Sequence, residues 1–243
     1  MMTNKKIKTQ YYDIVISIGQ NCFVSRILRA LNYRLFACPL DWVLVYNYTY
    51  SMELLKNKFE NYFNKEDLSF VAVNEKWNTD VYFNNRNKTT FIHDFLKNSK
   101  NNFNEAYNKS KVKHKRRIKR LVEKLQKGVN VCLVYIEWQP GAEKNQIITN
   151  EIINNDIKEL NAIYKRCNFD ILYIKHNENL DINQYTINNR ICELNNTPTN
   201  DELGNINLAT KIIKKRVRLK FFSKLNPYFH KIKRVIKLCK IIN

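Results

Sequence analysis

"DIVISIGQNCFVSRILRAL", residues 13–31, decides how this chain folds. Its first half, Asp13 to Ile18, is short, β-branched and apolar, the pattern of a buried strand. Gly19 then permits a tight turn. Beyond Cys22 the apolar residues Val24, Ile27, Leu28 and Leu31 recur at helical spacing, with Arg26 and Arg29 on the other side. The segment reads as strand, turn, helix, with Cys22 in the first helical turn. Free backbone N–H groups and the helix dipole favour an anion there, so a thiolate is expected to be stabilised. The competing reading of Cys22 is a small apolar residue where a strand turns into a helix.

The chain repeats this logic further on. "VNVCLVYIEW" reads as a buried strand, residues 150–167 as a helix and "FDILYIK" as another strand. "YTINNRICEL" reads as one more strand. Between the two ends, residues 51–63 place Met52, Leu55, Phe59, Tyr62 and Phe63 on one helical face, with Ser51 as N-cap. Residues 68–96 have β character with Asn-rich turns. Residues 103–127 form a long helix stopped by Gly128. The alternation predicts an α/β fold: a mixed, largely parallel sheet flanked by helices. Acids disappear near residue 205, so a single domain is expected over 11–204, followed by a basic amphipathic tail over 205–243.

Composition excludes several classes. At 243 residues and 44% hydrophobic, the chain can bury one sizeable core. No apolar run approaches the roughly 18–20 residues that span a bilayer. The basic N-terminus leads into an apolar run that is too short for a secretory signal and contains Asp13, so a cytoplasmic protein is expected. Six cysteines (22, 38, 132, 167, 192 and 239) form no CxxC pair, and several lie in apolar runs, as reduced core thiols do. Four dispersed histidines (93, 114, 176 and 230) form no HExxH or Cys/His cluster. Neither a metal site nor a cofactor is expected.

Three stretches combine reactive residue types with local order: "SIGQNC" (Cys22), "CPLDW" (Asp41 and Trp42) and "FIHDF" (His93 and Asp94). A thiol nucleophile needs a base, and a third group to orient the imidazole. Gln20 or Asn21 could donate a hydrogen bond to an oxyanion. Each also has a structural reading: His93 as a satisfied strand histidine, Asp41 as a loop cap, and Asp94 on the strand face opposite His93. The joint order "DIVISIGQNC", "LRALNYRLFACPLDW", "FIHDF" and "KHKRRIKRL" resembles a bacterial family of papain-like cysteine peptidases carrying a domain of unknown function. The resemblance runs over residues 13–125 by motif and more loosely to 195. It implies Cys22 as nucleophile, His93 as base, and Asp94 or Asp41 as orienting acid, in a hydrolase or acyltransferase acting on a peptide, acyl or glycan-linked substrate.

The formal charge is +20 and unevenly spread. Residues 109–127 carry ten Lys or Arg against Glu123 alone, and 211–243 carry twelve with no acid. Such segments seek an anionic partner. The interleaved apolar residues of 211–243 fit a helix pair lying on an anionic leaflet, so a position at the inner membrane face is expected. No nucleic-acid recognition module is visible. The strand–Gly–helix turn also suits a phosphate. A second reading is therefore a transferase of surface-polysaccharide biosynthesis that binds phosphate with Gly19, Asn21, Arg116, Arg117 and Arg120. A third is a non-catalytic membrane or nucleic-acid binding protein.

Overall fold

Ile14, Ile16 and Ile18 cover one face of their strand and Val15 the other, and different helices bury the two faces. The computed structural model describes residues 9–137, 147–196 and 205–220. In chain order the elements begin β1 (Gln10–Tyr12), β2 (Ile14–Gly19), α1 (Cys22–Ala30), β3 (Val43–Val45) and α2 (Tyr48–Lys56). An antiparallel block follows: β4 (Leu68–Asn74), β5 (Thr79–Asn84) and β6 (Thr89–Leu96), leading into α3 (Phe103–Gln126). Then come β7 (Asn130–Ile136), α4 (Asn150–Ile163), β8 (Asn168–His176), β9 (Tyr185–Asn188), β10 (Ile191–Leu194), α5 (Ile206–Arg216) and β11 (Val217–Leu219).

The main sheet has the order β2-β7-β8-β10-β9, parallel except for the antiparallel β9–β10 pair. Met52 and Leu55 of α2, Leu121 and Leu125 of α3, and Ile153 and Leu160 of α4 pack on the face carrying Ile16, Leu133 and Ile171. Val24, Ile27 and Leu28 of α1, with Leu208 and Ile212 of α5, pack on the face carrying Val15, Val134 and Leu172. This is a sheet with helices on both sides, the arrangement that buries parallel strands.

The α/β prediction holds, with a largely parallel arrangement in the main sheet. The β character of 68–96 forms a separate four-stranded antiparallel sheet, ordered β3-β6-β5-β4, and β1 and β11 make a parallel two-stranded ribbon. "YTINNRICEL" is a hairpin rather than one strand, because Asn189 turns the chain with positive φ. The helix expected over 51–63 starts at Tyr48, capped by Asn47, whose side chain accepts from Tyr50 N–H at 3.0 Å. It ends at Lys56, since Lys58, Phe59 and Asn61 all take positive φ.

The start of the segment read as an appended tail is packed into the domain. Ile212, Ile213 and Ala209 of α5 are fully buried, and β11 pairs with β1. The loss of acids near residue 205 reflects composition, not a boundary of packing. The membrane expectation rests on residues 211–243, and of these 221–243 lie outside the described residues. Among the described residues, no helix is long and apolar enough to cross a membrane.

Candidate active site

β2 delivers the chain to the carboxyl edge of the main sheet, where ligand sites of parallel α/β sheets lie. Gly19 takes a φ of +124°, and a Cβ there would sit 3.2 Å from the Tyr135 ring and 3.4 Å from Ser51 Oγ. Only glycine combines that conformation with so close an approach. Gln20 then ties the turn to its neighbours. Its N–H donates to Ile136 O at 3.0 Å, its carbonyl accepts Val45 N–H at 2.9 Å, and its Nε2 donates to Tyr46 O at 2.9 Å. The side-chain amide of Gln20 is thus engaged in joining the two sheets. Asn21 caps α1, its Oδ1 accepting Phe23 N–H at 2.9 Å.

Cys22 follows as the first residue of α1. Of the five free cysteines among the described residues, Cys38, Cys132, Cys167 and Cys192 are buried, and Cys22 is half-buried. The depressed thiol expected from the helix mouth is not what the structure gives. Burial pushes the Cys22 thiol up, and the Arg26 guanidinium and the residue's own backbone N–H only partly oppose it. The resting group is a neutral thiol. Arg26, one helical turn on, is the cation that acts on it, and i,i+4 spacing from Cys22 is the signal that could have found it.

The two aspartates belong to other networks. Asp41 is buried and accepts from Ser25 Oγ (2.9 Å), Arg34 Nε (2.6 Å) and Cys38 N–H (2.9 Å), pinning the "CPLDW" loop to α1. Asp94 turns inward to α3, where it pairs with His114 Nε2 at 3.0 Å and with Lys113. Burial alone would raise the Asp94 carboxyl, but these partners hold it well below the usual range. A bulge in β6 sets this direction. Asp80 and Tyr82 of β5 stand opposite Phe95 and Phe91, so Ile92, His93 and Asp94 are crowded out of register.

His93 goes the other way. Its ring meets Trp42 and Trp77 edge-on, at 6.3 and 5.3 Å between centroids, and makes no hydrogen bond among the described residues. Burial lowers its pKa below 6.5, against the neighbouring Asp94 charge. No hydrogen bond or ion pair joins it to Cys22 among the described residues, nor does an aspartate accept from its ring there. Arg117 and Arg120 are half-buried beside Cys38, and Arg116 is exposed. The structure records none of the three acting on Cys22 or touching Gly19 or Asn21.

Two residues at the same sheet edge were not singled out from the sequence. Glu137, just past β7, accepts from Tyr173 OH and His176 N–H, both at 2.8 Å. His176, at the end of β8, accepts Asn196 N–H on Nδ1 at 3.0 Å. The signal was their position directly after two buried strands, "LVYIE" and "LYIKH". The Nδ1 bond leaves the neutral His176 ring with its proton on Nε2, a donor. No group of three or more His, Cys, Asp or Glu able to hold a metal occurs among the described residues.

The structure thus puts a half-buried cysteine at a helix mouth, at the carboxyl edge of a parallel sheet. The chain belongs to the family described as "Putative papain-like cysteine peptidase", whose model matches residues 13–179. No curated protein and no solved structure matches it.

Proposed function

We propose that the protein is a cysteine hydrolase or acyltransferase in which Cys22 is the nucleophile and His93 the base. The observation that carries this is the half-buried Cys22 thiol at the N-terminus of α1, while the other four described cysteines are enclosed. Family membership supports the same chemistry. Because burial keeps the thiol neutral, it needs a base at the moment of attack. His93 is neutral at neutral pH and has uncommitted ring nitrogens, as a base requires. His176 is disfavoured, because its Nδ1 is already occupied. Catalytic hydrogen bonds commonly tighten only in the substrate complex, which is the footing on which His93 is assigned.

In the proposed cycle, His93 takes the Cys22 proton as sulfur bonds to an acyl carbon. The carbonyl pair moves onto oxygen, then returns to expel the leaving group, which takes the proton from His93. Water, or an acceptor in a transferase, gives its proton to His93 as its oxygen bonds to the acyl carbon; the carbon–sulfur bond then breaks and His93 returns the proton to sulfur, restoring the neutral thiol. Hydrolysis of a generic activated ester, with mass-spectrometric labelling by iodoacetamide, tests this. Cys22→Ser should abolish both turnover and labelling at residue 22, and His93→Gln should lower turnover at least about a hundredfold. Full activity in Cys22→Ser would overturn the nucleophile, and full activity in His93→Gln the base. The basic segment 221–243 is proposed, on sequence alone, to hold the enzyme to an anionic membrane surface.

A further inference from the structure

Asn21 is only 4% exposed, and its Oδ1 accepts Phe23 N–H. That bond fixes the amide, because only its oxygen can accept a hydrogen bond. The other end, Nδ2, is therefore a donor held at the mouth of α1, and it has no hydrogen-bond partner among the described residues. Capping by itself does not produce such an orphan. Asn205 caps α5 in the same way, its Oδ1 accepting Leu208 N–H, yet its Nδ2 donates to Ile182 O at 2.6 Å. Buried donors without acceptors are costly and rare in native structures. At Asn21 the orphan coincides with a nine-residue helix's N-terminus, whose first-turn N–H groups lack intrahelical acceptors. Arg26 adds a positive charge within reach of Cys22.

We propose that the mouth of α1 is a binding site for an anionic oxygen, received by Asn21 Nδ2 and the first-turn backbone amides beside Cys22. The chemistry shared by its ligands is a negatively charged oxygen: a carboxylate, a phosphate, or the acyl oxygen charged when sulfur adds to carbon. For the last of these the inference rests on Cys22 being the nucleophile. Asn21 is named rather than Gln20 because the Gln20 Nε2 already donates to Tyr46 O, whereas the Asn21 Nδ2 donates to no described residue.

Paired reagents test it on the full chain. Rates of Cys22 modification by iodoacetate and iodoacetamide are compared with the same two rates on glutathione. Wild type should favour iodoacetate relative to glutathione, and inorganic phosphate should slow it. Asn21→Ser keeps a capping oxygen and removes Nδ2, so it should erase that preference by at least about tenfold, the usual effect of a hydrogen bond to a charged group. Circular dichroism verifies that its helix content is unchanged. A wild-type ratio equal to that of glutathione, or an unchanged ratio in folded Asn21→Ser, would sink the proposal. If neither reagent labels Cys22, the nucleophile assignment fails while the anion site is still read. Titration of ¹⁵N-labelled protein with phosphate, and separately acetate, should shift the Asn21 side-chain amide saturably. An amide unmoved by both anions overturns the site, and a response to one alone names the class of oxygen.

Discussion

At the scale of single residues, the Cys22 thiol and the Asp94 carboxyl are displaced in opposite directions by their surroundings, and both displacements are measurable. Cys22 is pushed up by burial, with Arg26 pulling the other way. Its alkylation rate should therefore keep rising with pH beyond the ordinary thiol value of about 8.5. Arg26→Ala should move the profile to still higher pH, read from iodoacetamide kinetics at residue 22. Asp94 is 3% exposed at its side chain and paired with His114 and Lys113. Asp94→Ala should cost about 3–5 kcal/mol, since it strands the buried His114 imidazole and the half-buried Lys113 ammonium, and urea titration measures it. The pH sign follows from the shifts. Burial lowers the His114 pKa, so stability is full above 6.5 and falls as the unfolded chain takes up that proton first. Asp94 is lowered from 3.8, so a second loss sets in below that value as the unfolded carboxyl protonates. Thermal melts between pH 7 and 3 should show both declines in wild type and only the first in Asp94→Asn.

At the scale of elements, α5 and β11 are core pieces. Ala209, Ile212 and Ile213 are fully buried against the α1 side of the main sheet. Ending the chain after residue 204 should abolish cooperative unfolding, and calorimetry of that truncation against the full chain reads it. The elements that the sequence identified well were those with an unbroken period: β2, α3, β7, α4 and β8. "KIIKKRVRL" misled because α5 buries a narrow apolar stripe under a strongly charged back, and charge does not reveal which face is covered. The site divided along similar lines. The strand, Gly19 turn and Cys22 helix were legible from local pattern alone. The partners of Asp41 and Asp94 were not, because Arg34, Ser25 and His114 reach them through the loop fold and a bulge that leaves no periodic trace. Glu137 and His176 escaped for the same reason, being defined by strand register rather than by any motif.

For the whole molecule, a charge of +20 sets the terms of association. Binding to vesicles containing phosphatidylserine should fall steeply as salt rises, and should be lost on removing residues 221–243, as read by flotation. Retained flotation after that truncation would move the membrane surface to α3, whose exposed Lys115, Arg116 and Lys119 remain. The order of the main sheet has a kinetic consequence as well. β7, β8 and β10 follow one another closely, but β2 joins them from far away in sequence: Asp13 bonds to Asn130 across 117 residues. Closing so long a loop is slow, and the strand that closes it is also the sheet's edge. The Gly19 turn is therefore expected to be among the last parts of the domain to take shape on refolding of the full chain. On the proposed reading of Cys22, its thiol then takes its place only once the domain is nearly complete. Pulse-labelled hydrogen exchange, with late protection of residues 14–19, would record that delay.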